Sequence, residues 1–271
     1  MNRQKSHPHH HAAARNRDVE GPIRLYGMHA VAAALANPAR EIGRLLLTDD
    51  AEHRLGPAIA AREAKSQKVT PRDLDRLLGA DTVHQGALLE TADLPEPTLE
   101  ELAAASAASG PLIVLDHVTD PHNVGAILRS GAVLGAAGLI MTRRHSPPLS
   151  GALAKAASGG LEVVPVALVA NLARALEELG ELGVRRIGLD GDGDVTIDAA
   201  GFEGAVALVM GAEGKGLRRL TRESCDVLAR VPAAGSFASL NVSNAAAVAL
   251  YAAAQGRRSA VPSPRPSRGE G

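Results

Sequence analysis

A chain of 271 residues is long enough for one large domain or two modest ones. Its 45% hydrophobic content is that of a globular protein, and a formal net charge of −1 argues against a general polyanion binder while leaving room for local basic patches. The chain has no Trp, and Phe202, Phe237, Tyr26 and Tyr251 are its only Phe and Tyr residues, which disfavours an aromatic platform for stacking RNA bases over most of the surface.

Residues 1–20 are polar and aperiodic and read as a disordered tail. Its His7, His9, His10 and His11 form a tract that any transition metal could visit, without marking a built site. Residues 21–91 alternate strand and helix patterns: Ile23–Leu25 strand, His29–Asn37 helix, Gly43–Thr48 strand, Ala51–Lys65 helix, Arg72–Leu78 helix and Val83–Glu90 strand. Pro71 sits where a helix tolerates it, at the first turn. This is a small α/β unit. Residues 92–110 hold Pro95, Pro97 and an Ala/Ser run in which Glu100–Ala107 can be helical, and read as a linker.

From residue 111 to 256 the pattern becomes repeated strand–helix units. Strands are expected at Pro111–Leu115, Gly138–Met141, Glu162–Val166, Arg185–Leu189, Val206–Met210 and Val227–Val231. Asp120 can cap a helix that has Pro121 at its first position. Leu172, Leu176 and Leu179 make one apolar face of a helix over Asn171–Gly180. An alanine-rich helix is expected over about Leu240–Gln255. The expected architecture is α/β: a mostly parallel sheet with helices on both faces. Residues 257–271, rich in Arg, Ser and Pro, read as a second tail.

Several function classes lose support. The only cysteine, Cys225, allows no internal disulfide and no thiolate metal cluster, and reads as a small buried hydrophobe. There is no signal-peptide pattern, and the longest apolar run, Ala245–Ala254, is roughly half of what a membrane span needs. The expectation is therefore a soluble cytoplasmic protein with no membrane partner and no metal. Gly211–Gly216 resembles a phosphate loop, but Lys215 is followed by Gly216 and Leu217, so the hydroxyl that would bind magnesium is missing. Asp190–Asp194 resembles a calcium loop, but Val195 stands where the turn needs glycine and Gly201 where the bidentate glutamate belongs. No Gly-x-Ser-x-Gly elbow and no His-Glu-x-x-His is present. The basic runs Arg143-Arg144-His145 and Lys215 with Arg218, Arg219 and Arg222 read, each on its own, as solvated faces.

What remains is a set of polar turns after buried strands, the position of a ligand crevice in an open α/β sheet. Asn123 and Arg129 follow the strand at 111–115, Glu213 follows that at 206–210, and Ser239 and Asn241 follow that at 227–231. Each has an ordinary structural role open to it: Asn123 in turn backbone, Arg129 on a helix surface, Glu213 in a helix first turn, Ser239 as an N-cap with Asn241 behind it. Together they make a polar pocket with one acid, one permanent cation and close backbone access.

Three segments carry a resemblance. Asn123-Val-Gly-Ala-Ile-Leu-Arg-Ser130, Val209-Met-Gly-Ala-Glu-Gly-Lys-Gly216, and Val231-Pro232 with Ser239-Leu-Asn-Val-Ser-Asn-Ala-Ala246 are similar, in order, to the motifs of SpoU-type (TrmH-like) RNA 2′-O-ribose methyltransferases of the SPOUT class. The similarity covers about Pro111 to Gln255. Leu25-Tyr-Gly-Met-His-Ala-Val31 and His84-Gln-Gly-Ala87 resemble the L30e-like substrate-binding domain of the RlmB-type members, which modify a guanosine ribose of 23S ribosomal RNA. The resemblance implies a deep trefoil knot in the second unit, a homodimer, and S-adenosyl-L-methionine bound through Gly211, Val231 and Leu240. It implies catalytic roles for Asn123, Arg129, Glu213, Ser239 and Asn241, with Arg129 anchoring an RNA phosphate and stabilising charge on the 2′-oxygen, and Glu213 orienting Arg129 or accepting a proton. A transfer-RNA methyltransferase and a non-catalytic RNA-binding or ribosome-assembly protein are the competing readings.

Overall fold

Two β-sheets organise the chain in the computed structural model, which describes residues 22–232 and 240–260, the last two of them without side chains. The first sheet holds β1 (Ile23–Tyr26), β2 (Ile42–Leu47), β3 (Ser66–Lys68) and β4 (Ala87–Thr91) in the order β1-β4-β2-β3. β4 is antiparallel to β1 and β2, and β3 is parallel to β2. Helices α1 (Met28–Ala36), α2 (Asp49–Arg62) and α3 (Pro71–Leu78) belong to the same unit. Thr70 and Asp73 form a reciprocal capping box on α3, with Pro71 at the first turn as expected. β4 starts at Ala87 rather than Val83, because Gln85 and Gly86 both take left-handed backbone (φ 56 and 80) that an extended strand cannot contain.

The second sheet runs β7-β6-β5-β10-β8-β11-β9, with every pair parallel. Its strands are β5 (Leu112–Asp116), β6 (Gly138–Thr142), β7 (Val166–Val169), β8 (Arg185–Leu189), β9 (Val195–Thr196), β10 (Val206–Gly211) and β11 (Val227–Arg230). Period-two alternation sends successive side chains to opposite faces. On β10, Val206, Leu208 and Met210 join one core, while Ala207 and Val209 join the other. The first core is closed by α5 (Pro121–Leu134), α6 (Gly151–Ala157) and α9 (Val242–Ala260), the second by α4 (Leu99–Ala108) and α7 (Leu172–Glu181). Leu172, Leu176 and Leu179 are all buried, and each such side chain contributes about 2 kcal/mol by leaving water.

β7 begins at Val166, not Glu162. Ser158 and Gly159 leave α6 with positive φ, and a single 3-10 turn over Gly160–Glu162 takes up the chain before Pro165. That shift frees Glu162 for another task. Its carboxylate receives Arg40 Nη2 at 2.7 Å and Nε at 3.1 Å, and Asn37 Nδ2 at 2.8 Å. The pair is 2% and 6% exposed, and it ties the first unit to the second. Leu25, Met28 and Val31 of the first unit lie in the same apolar cluster as Leu153 and Ala157 of α6. The segment expected as a linker carries α4, whose Leu99, Leu102 and Ala103 pack into the second core.

Candidate functional site

The site is assembled where the chain leaves β5, β10 and β11. Asp116 ends β5, is 0% exposed, and its carboxylate accepts from Arg218 N at 2.9 Å and Nε at 2.6 Å. A buried carboxylate requires such partners. This one pins the far end of the loop that joins β10 to α8 (Arg219–Glu223). The near end is shut by glycine: a Cβ on Gly211 would run into the backbone of Gly216. Gly216 N donates to Ala212 O at 2.9 Å, and Gly214 and Gly216 take φ 73 and 64 to complete the turn.

This loop presents Glu213 to two amides. Asn123 Nδ2 donates to Glu213 Oε1 at 3.1 Å; Asn241 Nδ2 donates to Asn123 Oδ1 at 3.0 Å and also to Glu213 Oε1. Asn123 is held on α5, whose N-terminus is capped by Asp120 through His122 N at 2.9 Å, with Pro121 first in the helix. Asn241 Oδ1 accepts from Ser243 N at 2.8 Å, which makes Asn241 the N-cap of α9. Sequence reasoning gave that cap to Ser239, which lies outside the described residues, and placed Asn241 in the first turn. It also placed Glu213 in a helix first turn, whereas α8 begins only at Arg219 and the glycine-closed turn holds Glu213 in a loop.

Asn123, Glu213 and Asn241 thus form one closed hydrogen-bonded triangle, with Glu213 Oε2 accepting no hydrogen bond among the described residues. Arg129 is not part of it. Its side chain is exposed on α5 and makes no hydrogen bond or ion pair among the described residues. The expectation that Glu213 orients Arg129 is therefore not met: the two amides hold the carboxylate instead.

Gly211 and Val231 are half-buried at the ends of β10 and β11, and Leu240 is 50% exposed directly before Asn241. These positions offer backbone groups and apolar side chains, a set that suits an adenosyl group better than a metal. No cluster of His, Cys, Asp and Glu able to hold a metal occurs among the described residues. The Asp190–Asp194 turn is bound by the chain's own cations, with Arg222 on the Asp190 carboxylate at 2.8 Å and Arg230 on Gly193 O at 2.5 Å. Cys225 donates from Sγ to Thr221 O at 3.2 Å, and burial pushes its thiol up to about 12, so it is inert as a nucleophile at neutral pH. No described helix is long and apolar enough to cross a membrane.

Asp116 and Arg218 were missed from the sequence as site-building residues. The available signal was an acid ending the otherwise apolar run Leu112–Leu115, a residue type that is rarely buried without a partner.

Comparison with known proteins identifies the family of the chain. The sequence model of the SpoU rRNA Methylase family matches residues 110–251, and the one described as RNA 2′-O ribose methyltransferase substrate binding matches residues 24–97. A 23S rRNA (guanosine-2′-O-)-methyltransferase RlmB of Ralstonia nicotianae is 42% identical over 242 residues, 88% of this chain and 97% of that protein. Its Shewanella oneidensis counterpart is 42% identical over 243 residues, 87% of this chain and 98% of that protein. Among solved structures, the SpoU methyltransferase AviRb from Streptomyces viridochromogenes in complex with AdoMet superposes with a TM-score of 0.74 at 24% identity, covering 88% of this chain and 91% of its own, a likeness of fold. The polar triangle at the carboxyl ends of the parallel strands is thus set in a chain that belongs to the SpoU rRNA methylase family.

Proposed function

We propose that the protein transfers a methyl group from S-adenosyl-L-methionine to the ribose 2′-hydroxyl of a guanosine in 23S rRNA. The observation that carries this reading is the convergence of Asn123, Glu213 and Asn241 from three separate strand ends, in a chain whose relatives with this activity align along most of its length.

S-Adenosylmethionine would be held by Gly211, Val231 and Leu240, and when bound it supplies an electrophilic methyl group on a sulfonium. The chain's own residues must make the 2′-oxygen a competent nucleophile and hold it in line. Glu213 Oε2 is the acceptor atom for the hydroxyl proton; Asn123 and Asn241 fix the carboxylate so that this oxygen points where the ribose docks. Arg129 anchors an RNA phosphate and stabilises negative charge growing on the 2′-oxygen. It is not assigned as the base, because a guanidinium offers hydrogen-bond donors and no acceptor. Ser239 is assigned to the phosphate or to the loop beside it. Correct placement of the reacting atoms can supply roughly 7–11 kcal/mol of the barrier.

The finer architecture belongs to the same proposal. Residues 21–91 form an L30e-like substrate-binding domain and 111–256 the SPOUT domain, joined through 92–110 and flanked by tails at 1–20 and 257–271. A deep trefoil knot is supported by the strand order: β10 lies between β5 and β8, β11 lies beyond β8, and α9 nevertheless returns to the core under β10. A homodimer is supported by Val248 and Tyr251, 39% and 57% exposed and one helical turn apart on α9. The separate first unit favours ribosomal over transfer RNA.

The test is methyl transfer from radiolabelled S-adenosylmethionine to unmodified 23S rRNA, with bulk transfer RNA in parallel. Label confined to the ribosomal RNA is the expected result; label confined to transfer RNA would overturn the substrate, and no label in either would overturn the reaction.

A further inference from the structure

At the carboxyl ends of β5 and β6, the two basic runs of the sequence come together. Arg144 and His145 follow β6, His117 follows β5, and Arg218 and Arg219 close the β10–α8 loop, and all five line one cavity of about 500 Å³. That volume lies within the range of small-ligand sites. No carboxylate among the described residues lines it. Arg144 makes no side-chain hydrogen bond or ion pair among the described residues, and Arg218 spends only Nε on Asp116. Arg219 is paired with Glu223 on its own helix.

The two imidazoles are the cavity's rings. His117 and His145 stack with centroids 4.9 Å apart and an interplanar angle of 30°. Both take left-handed backbone, φ 57 and φ 64, which is strained for residues other than glycine. Such strain persists where the surroundings impose it, and it gathers at binding sites. Thr142 helps hold the turn, donating from Oγ1 to Arg144 O at 2.5 Å. Thr221, 1% exposed on the same wall, has a hydroxyl with no hydrogen-bond partner among the described residues. Burial, then the charge of Arg218, holds His117 below the usual imidazole value, with Asp116 opposing and His145 adding to the fall. Its ring is thereby biased towards the neutral form, and Arg144, Arg218 and Arg219 bring guanidinium donors to the cavity.

We propose that this cavity is an RNA subsite for a nucleotide flanking the methylated ribose, with its phosphate on Arg144 and Arg218 and its base stacked on the His117–His145 pair. The proposal rests on the reading of the site as an RNA 2′-O-methyltransferase, and it places the subsite on the loop that also carries Glu213. In a chain so poor in Phe, Tyr and Trp, imidazole is the stacking surface at hand. Arginine suits the phosphate because its planar donors match the anion's oxygens.

Two experiments test it. In the first, nucleoside 5′-monophosphates are titrated into the full-length protein while the imidazole ring signals of His117 and His145 are followed by NMR, with inorganic phosphate and unphosphorylated nucleosides alongside. Saturable shifts of both histidines by the monophosphates, weaker with either half alone, are expected; no shift, or an equal shift with inorganic phosphate, overturns the proposal. In the second, Arg144→Ala and His145→Ala are assayed for methyl transfer to 23S rRNA. The RNA KM is expected to rise about tenfold while kcat falls less than about threefold, with S-adenosylmethionine binding retained. An unchanged KM overturns the subsite. If the wild-type protein transfers no methyl group, the catalytic reading fails alone, and the titration still decides the cavity.

Discussion

Asn241 uses one side-chain amide for two purposes: its oxygen caps α9 and its nitrogen ties Asn123 to Glu213. The two purposes can be separated. Asn241→Ala should lose about 1 kcal/mol of stability in urea unfolding, because the cap is gone. It should also lose methyl transfer by about a hundredfold or more, the scale seen when one preorganised polar contact is removed from a reacting site. Asn241→Ser should recover the stability, since Ser caps well, but not the transfer, since its hydroxyl is too short to hold both partners. Recovery of both together would show that Asn241 acts only as a cap. Arg129→Ala should abolish transfer and leave S-adenosylmethionine binding intact by calorimetry, because the side chain is exposed and supports nothing else in the fold. At this scale the polar residues drew notice because they stand in turns after apolar strands, as Glu213 does, or in the helices that follow, as Asn123 and Arg129 do. Their pairing was not. Asp116 meets Arg218 across 102 positions, and Asn241 displaced Ser239 as the cap through a local side-chain bond that no periodicity encodes.

α5 carries both Asn123 and Arg129, and its placement depends on Gly125. A Cβ there would lie 2.5 Å from Ala156 Cβ and 2.7 Å from Leu153 O of α6. Gly125→Ala must therefore push the helices apart; a loss of about 1–3 kcal/mol in urea unfolding is expected, the usual cost of overpacking. Because Asn123 moves with α5, transfer should fall as well; a variant as stable and active as the wild type would mean that α6 yields freely. The longer elements could be read from pattern, as α7 shows with its buried Leu172, Leu176 and Leu179. The misses have local causes. β3 and β9, three and two residues long, are too short to show a period, and β4 and β7 were displaced by left-handed residues at 85–86 and 158–159. The tendency of those residues to leave the extended region is set by tertiary context rather than by residue type alone.

Across the whole molecule, the buried Arg40–Glu162 pair joins the unit that matches the substrate-binding family to the one that carries the site. Glu162→Ala leaves a buried guanidinium without its anion and should cost about 3–5 kcal/mol in urea unfolding, with much of the loss regained when Arg40→Met is added. Acid should weaken the fold in two stages. His117 has a folded value below 6.5, so the unfolded chain takes up that proton first and stability falls gently as pH drops through 6.5. The Arg186 side chain holds Asp226 below its ordinary 3.8, so its contribution is complete above about pH 4 and is lost as pH falls through the depressed value. Urea midpoints measured from pH 8 to pH 3 should show both stages, and Asp226→Asn should flatten the second.

The chemical identity of the product is the most direct test of the reaction. Unmodified 23S rRNA is incubated with the protein and labelled S-adenosylmethionine, digested to nucleosides and separated by mass spectrometry. The label is expected as 2′-O-methylguanosine, at most one per RNA molecule, and Glu213→Gln is expected to reduce its yield. Label on a base, or on the ribose of another nucleoside, would contradict the proposed function.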